Sequence, residues 1–107
     1  MNIFKPIEDR NKGLLKKIIS KGSDVNVMDD YGQTPLHLAI DMAFEEAIYI
    51  SDIENKQVEP ELEFAQLLLS NGANPYLKNH KGETVIDWIK ARNDECYLER
   101  FMKILPK

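Results

Sequence analysis

Thr34-Pro35-Leu36-His37-Leu38-Ala39 reads as the opening of a helix. The Thr34 hydroxyl can accept from a first-turn N–H, and Pro35 stands at the first helical position, where a missing N–H is not needed. The stretch has an echo 50 residues on: Gly32-Gln33-Thr34-Pro35-Leu36-His37 against Gly82-Glu83-Thr84-Val85-Ile86-Asp87. A second pair has the same offset, Lys21-Gly22-Ser23-Asp24-Val25-Asn26 against Asn71-Gly72-Ala73-Asn74-Pro75-Tyr76. Two independent markers at one offset make an internal repeat. Gly22 and Gly72 each follow an apolar helical stretch (Leu14, Leu15, Ile18, Ile19; Phe64, Leu67, Leu68, Leu69) and supply the left-handed position that ends a helix. The unit reads helix, glycine stop, polar turn, Thr-capped helix, so the chain is all-α.

Thr34 to Ala39 matches the T-P-L-H-x-A signature at every position, and the chain resembles the ankyrin repeat family. Asp24-Val25-Asn26 and Ala73-Asn74-Pro75 are similar to that family's turn after the second helix. The last unit departs from the pattern: Val85 replaces the proline, Asp87 replaces the histidine, and Trp88 and Ile89 are larger than the family residues. It therefore looks like a C-terminal cap. The resemblance implies an ankyrin-repeat solenoid of about three helix-turn-helix units with a lengthened hairpin in the middle unit. The whole chain, 1–107, is one domain, with units at about 1–27, 28–77 and 78–107.

The family repeats every 33 residues, so the spacing here carries a surplus of about 17. That surplus falls at 43–59. Ile40, Ala43, Phe44, Ala47, Ile48 and Ile50 keep helical spacing, which predicts a first helix running to about Ile50. Ser51–Gln57 is the expected loop. Val58–Ser70 is the expected returning helix, with Leu62, Ala65 and Leu69 on one face, and the hairpin is expected to project beyond the stack. The other helices are expected at Ile3–Asp9, Lys12–Ser20, Thr84–Ala91 and Glu95–Ile104.

Composition narrows the function classes. The 107 residues carry a formal −4, with 43% hydrophobic and 30% charged residues, an ordinary balance for one small folded domain. No apolar run approaches the roughly 18 residues of a membrane span, and Met1–Gly13 lacks the apolar core of a signal peptide. A soluble, cytoplasmic chain is expected, without membrane contact. The acidic balance argues against nucleic acid, which needs a clustered cationic face. Cys96 stands alone, so no intrachain disulfide or Cys-based zinc site can form.

Candidate chemistry is thin. His37 and Asp41 are four apart on one helix, a metal or acid–base spacing, but no third ligand is near, and the resemblance makes His37 a structural tie between turns. Cys96 has no sequence-local base to activate it and is expected to be buried. His80 reads as an exposed turn residue. Asp24, Asn26, Asp29, Asp30 and Gly32 do not have the spacing of a calcium loop. Phosphate-loop glycine patterns are absent. No enzyme, cofactor or metal is expected; the catalytic alternative would be built on His37, Asp41 and Cys96.

Binding is the remaining class. The resemblance implies a protein partner held by turn tips and the concave face of each unit's first helix. The matching positions are Asp30, Tyr31, Gln33, Asp41 and Met42 in the middle unit, and His80, Lys81, Glu83, Ala91 and Arg92 in the last. Tyr31 ranks first, because tyrosine buries much area at low entropic cost. Trp88 is expected to pack in the core. Residues 45–63 add seven carboxylates against Lys56, a net −6, while the rest of the chain sums to +2. With Phe44, Tyr49, Ile50 and Ile53, this segment reads as an acidic arm for a basic partner, with Glu45, Glu46 and Tyr49 in contact. By analogy with small acidic ankyrin proteins, the chain would be an immunity or antitoxin-type inhibitor of a basic toxin. The rival is a self-associating scaffold joined through Phe44, Ile48, Tyr49 and Ile53; a monomer is expected over a homodimer.

Overall fold

A computed structural model describes residues 2–106. Met1 and Lys107, the expected outer bounds of the first and last units, lie outside the described residues. Among the described residues six helices follow in order: α1 (Phe4–Glu8), α2 (Lys12–Ser20), α3 (Pro35–Glu54), α4 (Glu63–Ser70), α5 (Val85–Ala91) and α6 (Glu95–Ile104). No strand occurs among the described residues. They pair as hairpins α1–α2, α3–α4 and α5–α6, and α3 lies in the middle, packed on α1, α4 and α5.

Local chemistry starts most of these helices. Asn11 and Asp94 cap α2 and α6 by accepting from Leu14 N–H and Tyr97 N–H, each at 3.0 Å. Thr34 and Thr84 cap α3 and α5 through their hydroxyls, each accepting at 3.2 Å from the residue three on. The core is one continuous cluster. Ile7, Leu15 and Ile18 pack at one end, Leu36, Ile40, Phe44 and Leu68 in the middle, and Ile89, Tyr97 and Phe101 at the other. Neighbouring hairpins thus share one buried surface, as stacked repeats must.

The middle hairpin differs from the sequence expectation. α3 continues past Ile50 to Glu54, and Asn55 ends it in the left-handed conformation at φ +52°. Asparagine tolerates that conformation better than most residues, so it serves where no glycine stands. The return helix begins at Glu63 rather than Val58. Pro60 disfavours helical backbone at Glu59, and the Glu61 carboxylate accepts from Glu63 N–H at 2.6 Å and Phe64 N–H at 3.3 Å, which sets the start. Ala65 and Leu69 are buried as expected and Leu62 half-buried; Phe64 and Leu68 complete the face.

The return limb does not project. Tyr97 Oη donates to Glu61 O at 2.9 Å, and Arg100 reaches Pro60 O at 3.5 Å, so α6 holds residues 59–61 against the stack. Ile48 leaves the apolar series and is 53% exposed. Cys96, expected in the core, is exposed on α6.

Candidate interaction surface

The two sequence echoes become two copies of one turn. Asp29 N–H donates to Gln33 O at 3.0 Å and Gly32 N–H to Asp29 O at 3.0 Å; Asn79 and Gly82 repeat this with Glu83 O and Asn79 O at 2.9 Å. The Asp29 carboxylate accepts from Tyr31 and Gln33 N–H, and the Asn79 amide oxygen accepts from Lys81 and Glu83 N–H, all within 3.0 Å. A side-chain acceptor at the first turn position thus holds the tip backbone, whether it is charged or neutral.

His37 joins the copies. Its Nε2 lies 2.9 Å from Glu83 O, a carbonyl that only accepts, so Nε2 carries the proton. Nδ1 is then the acceptor, 2.8 Å from Thr34 Oγ1 and 3.4 Å from Thr34 N. Burial holds the imidazole below its ordinary pKa, which favours this neutral form. Both ring nitrogens are committed, so neither is free for a metal or for acid–base work. Behind the tips, the Asn26 side chain accepts from Asn74 N–H at 2.7 Å and donates to Gly72 O at 3.1 Å.

These ties bring six expected contact residues together. Asp30, Tyr31 and Gln33 from one turn and His80, Lys81 and Glu83 from the other line one open cleft of about 400 Å³. Tyr31 is 76% exposed at its edge. His80 is exposed, yet its ring packs over the Gly32 backbone, so closely that a Cβ there would clash with it. The cleft also contains two residues that sequence reading did not assign to it, Asn79 and Trp88. Asn79 was findable, since it stands 50 residues after Asp29. Trp88 is only half-buried rather than a core residue; its edge meets His37 at 4.9 Å between ring centroids. Its indole N–H and the Asn79 amide both donate to Glu83 Oε1, at 3.2 and 3.1 Å. Those two hydrogen bonds hold the Glu83 carboxyl below its usual pKa, so it is ionised at neutral pH.

The other expected contacts lie elsewhere. Asp41 and Arg92 pair at 3.4 Å beside Trp88, walling a second depression of about 260 Å³ behind the cleft. Met42 is half-buried against the core, and Ala91 is exposed at the end of α5. Glu45 and Tyr49 face solvent on α3, whereas Glu46 turns to the first hairpin. There Arg10 binds Glu46 at 3.0 Å and Glu61 at 2.6 Å with its guanidinium over the Phe64 ring. Lys12 pairs with Glu63, Arg100 with Glu59 and Lys56 with Glu54. Five of the seven carboxylates of residues 45–63 therefore have cations from this chain. Lys56 is already counted in the −6 visible in sequence, so the three cations from outside the segment, Arg10, Lys12 and Arg100, answer half of it.

Comparison with known proteins now decides the family. Two ankyrin family models match, "Ankyrin repeats (many copies)" over residues 4–50 and "Ankyrin repeat" over 31–80. The chain belongs to the ankyrin repeat family. Among curated relatives, an ankyrin repeat protein of fowlpox virus (strain NVSL) is 33% identical over 81 residues, 76% of this chain. The E3 ubiquitin-protein ligase KEG of Arabidopsis thaliana is 31% identical over 91 residues, 84% of this chain. The chain spans 11% and 5% of the lengths of these two proteins. Among solved structures, the ankyrin repeat domain of Bcl-3 superposes with a TM-score of 0.73 at 16% identity, over 95% of this chain and 38% of that one. The Legionella effector AnkH superposes at 0.72 with 23% identity, over 98% and 19%. Both are similar in fold. Ankyrin repeats generally mediate protein–protein interaction without catalysis. No helix among the described residues is long and apolar enough to cross a membrane.

Proposed function

We propose that this chain is a non-catalytic protein-binding module whose partner sits in the cleft between its two turn tips and runs back along the concave side of α3 and α5. The observation that carries the reading is the convergence of Asp30, Tyr31, Gln33, His80, Lys81 and Glu83, from turns 50 residues apart, on one open cleft. Tyr31 supplies the anchor, an exposed aromatic on a turn whose backbone is already held by Asp29. Asn79 and Trp88 both donate to Glu83 Oε1, which leaves Oε2 for a partner's donor. Asp41, Met42 and Arg92 extend the contact behind the cleft, and Glu45, Glu46 and Tyr49 form its far end.

A narrower role, inhibition of a basic toxin by an acidic arm, would draw on carboxylates that mostly hold Arg10, Lys12 and Arg100. The tips therefore come first in this reading. The test is affinity capture from source-cell lysate at low and moderate salt, with Tyr31→Ala beside the native chain. The captured partner should bind Tyr31→Ala at least about tenfold more weakly, a loss of about 1.4 kcal/mol or more. Undiminished binding by that variant moves the contact off the tips.

A further inference from the structure

In a stack of hairpins the first helix of each unit is covered by the first helix of the next. By the 50-residue offset, α5 matches Pro35–Asp41 of α3, but α3 runs on to Glu54. Beyond the end of α5 lies a groove of about 400 Å³, lined by Phe44, Ala47, Ile48, Asp52, Val58 and Pro60. At its α5 end, Arg92 is occupied by Asp41 and by the Phe44 ring, 4.9 Å from the guanidinium. Ile48, Tyr49 and Ile53, each more than half exposed, continue the apolar surface over the outer side of α3. At about 100° per residue they fall within one side of the helix.

The charges around this face say what can cover it. α3 contains five carboxylates and neither lysine nor arginine. Glu45 and Asp52, which flank Ile48 and Tyr49, have no ion-pair partner among the described residues. A second copy laid on this face would set one α3 acid row against another, with no cation on either helix to answer it. A cationic amphipathic helix meets both conditions, filling the groove with apolar side chains and placing lysines or arginines beside Glu45 and Asp52. We propose that the distal half of α3 and the 58–60 segment form a docking groove for such a helix from another protein, lying where a longer α5 would have run. The groove shares no lining residue with the tip cleft; it meets the far end of the contact proposed above at Glu45 and Tyr49, but it uses neither turn and does not depend on Tyr31.

The probe is a synthetic helix-forming peptide of roughly 16 residues, long enough to span α3's uncovered turns. It carries leucines on one stripe and lysines on its flanks, and a second peptide replaces every lysine with glutamate. Both are titrated into the 15N-labelled full chain. The lysine peptide should bind in the micromolar range, weaken as salt is raised, and shift amides of residues 44–54 and 58–60. Ile48→Lys, at an exposed position and with its thermal midpoint checked against the native chain, should lower affinity at least tenfold, and Tyr31→Ala should leave it unchanged. The proposal is overturned by equal binding of the glutamate peptide, by shifts confined to the tips, by no shifts at millimolar peptide, or by Ile48→Lys binding as the native chain does. A micromolar homodimer that Ile48→Lys dissociates would also overturn it, by making a second copy the occupant.

Discussion

His37 has its two ring nitrogens fixed by partners of opposite kind, and that makes it sensitive to pH as well as to substitution. The folded chain holds the imidazole below its ordinary pKa of 6.5 through burial, whereas the unfolded chain takes up the proton near that value. Between the two pKa values the unfolded state binds more protons, so the contribution of His37 is complete above about pH 6.5 and is lost as pH falls toward the folded value. Urea unfolding should therefore give a lower midpoint at pH 5.5 than at pH 7.5. His37→Gln should lose about 1–3 kcal/mol at pH 7.5 and show a smaller drop between the two. An equal drop in both chains would place the titrating group elsewhere. Gly32 tests the packing of the two tips. Both Gly32 (φ +74°) and Gly82 (φ +77°) need left-handed backbone, but only Gly32 has the His80 ring over it. Gly82→Ala should cost about 1 kcal/mol and Gly32→Ala about 2 kcal/mol, with His80→Ala bringing the second back toward the first. Equal costs in the unfolding assay would mean that His80 does not rest on that turn.

Individual helices were legible where a side chain caps them locally. Lys12–Ser20 and Glu95–Ile104 match the sequence expectation at both ends, and each opens on an acceptor, Asn11 or Asp94, hydrogen-bonded three residues on. The middle hairpin was less legible, because its signals conflict. Ser51 and Asp52 have the polarity of a loop, yet helix continues through them until Asn55 takes the left-handed position. Apolar spacing extends the return helix back to Val58, whereas Pro60 and the Glu61 carboxylate hold the start at Glu63. Asn55 should therefore be the stop that matters. Asn55→Ala should destabilise the chain by about 1 kcal/mol and Asn55→Gly should be neutral or slightly stabilising, read from thermal midpoints. If alanine is tolerated as well as glycine, α3 ends for another reason.

Across the whole molecule, one core passes through three hairpins, so unfolding should be shared rather than unit by unit. Phe101 on α6 is fully buried, and Tyr97 on the same helix packs on Phe44 of α3 at 4.8 Å between centroids. Phe101→Ala should cost about 3–5 kcal/mol, with far-ultraviolet circular dichroism and Trp88 fluorescence still changing in one transition. Separate transitions would show that the last hairpin unfolds alone. The sequence by itself determined the repeat, its helical character, its turn chemistry and the pairing of Asp30, Tyr31 and Gln33 with His80, Lys81 and Glu83. All of these depend on residue types at short spacing or on a single offset of 50. Only the tertiary structure decided that Trp88 stands at the cleft and that Cys96 faces solvent. It also decided that the acidic segment is held by Arg10, Lys12 and Arg100. Burial and ion pairing are relations between residues tens of positions apart, and neither helical spacing nor a count of charges contains the distances that set them.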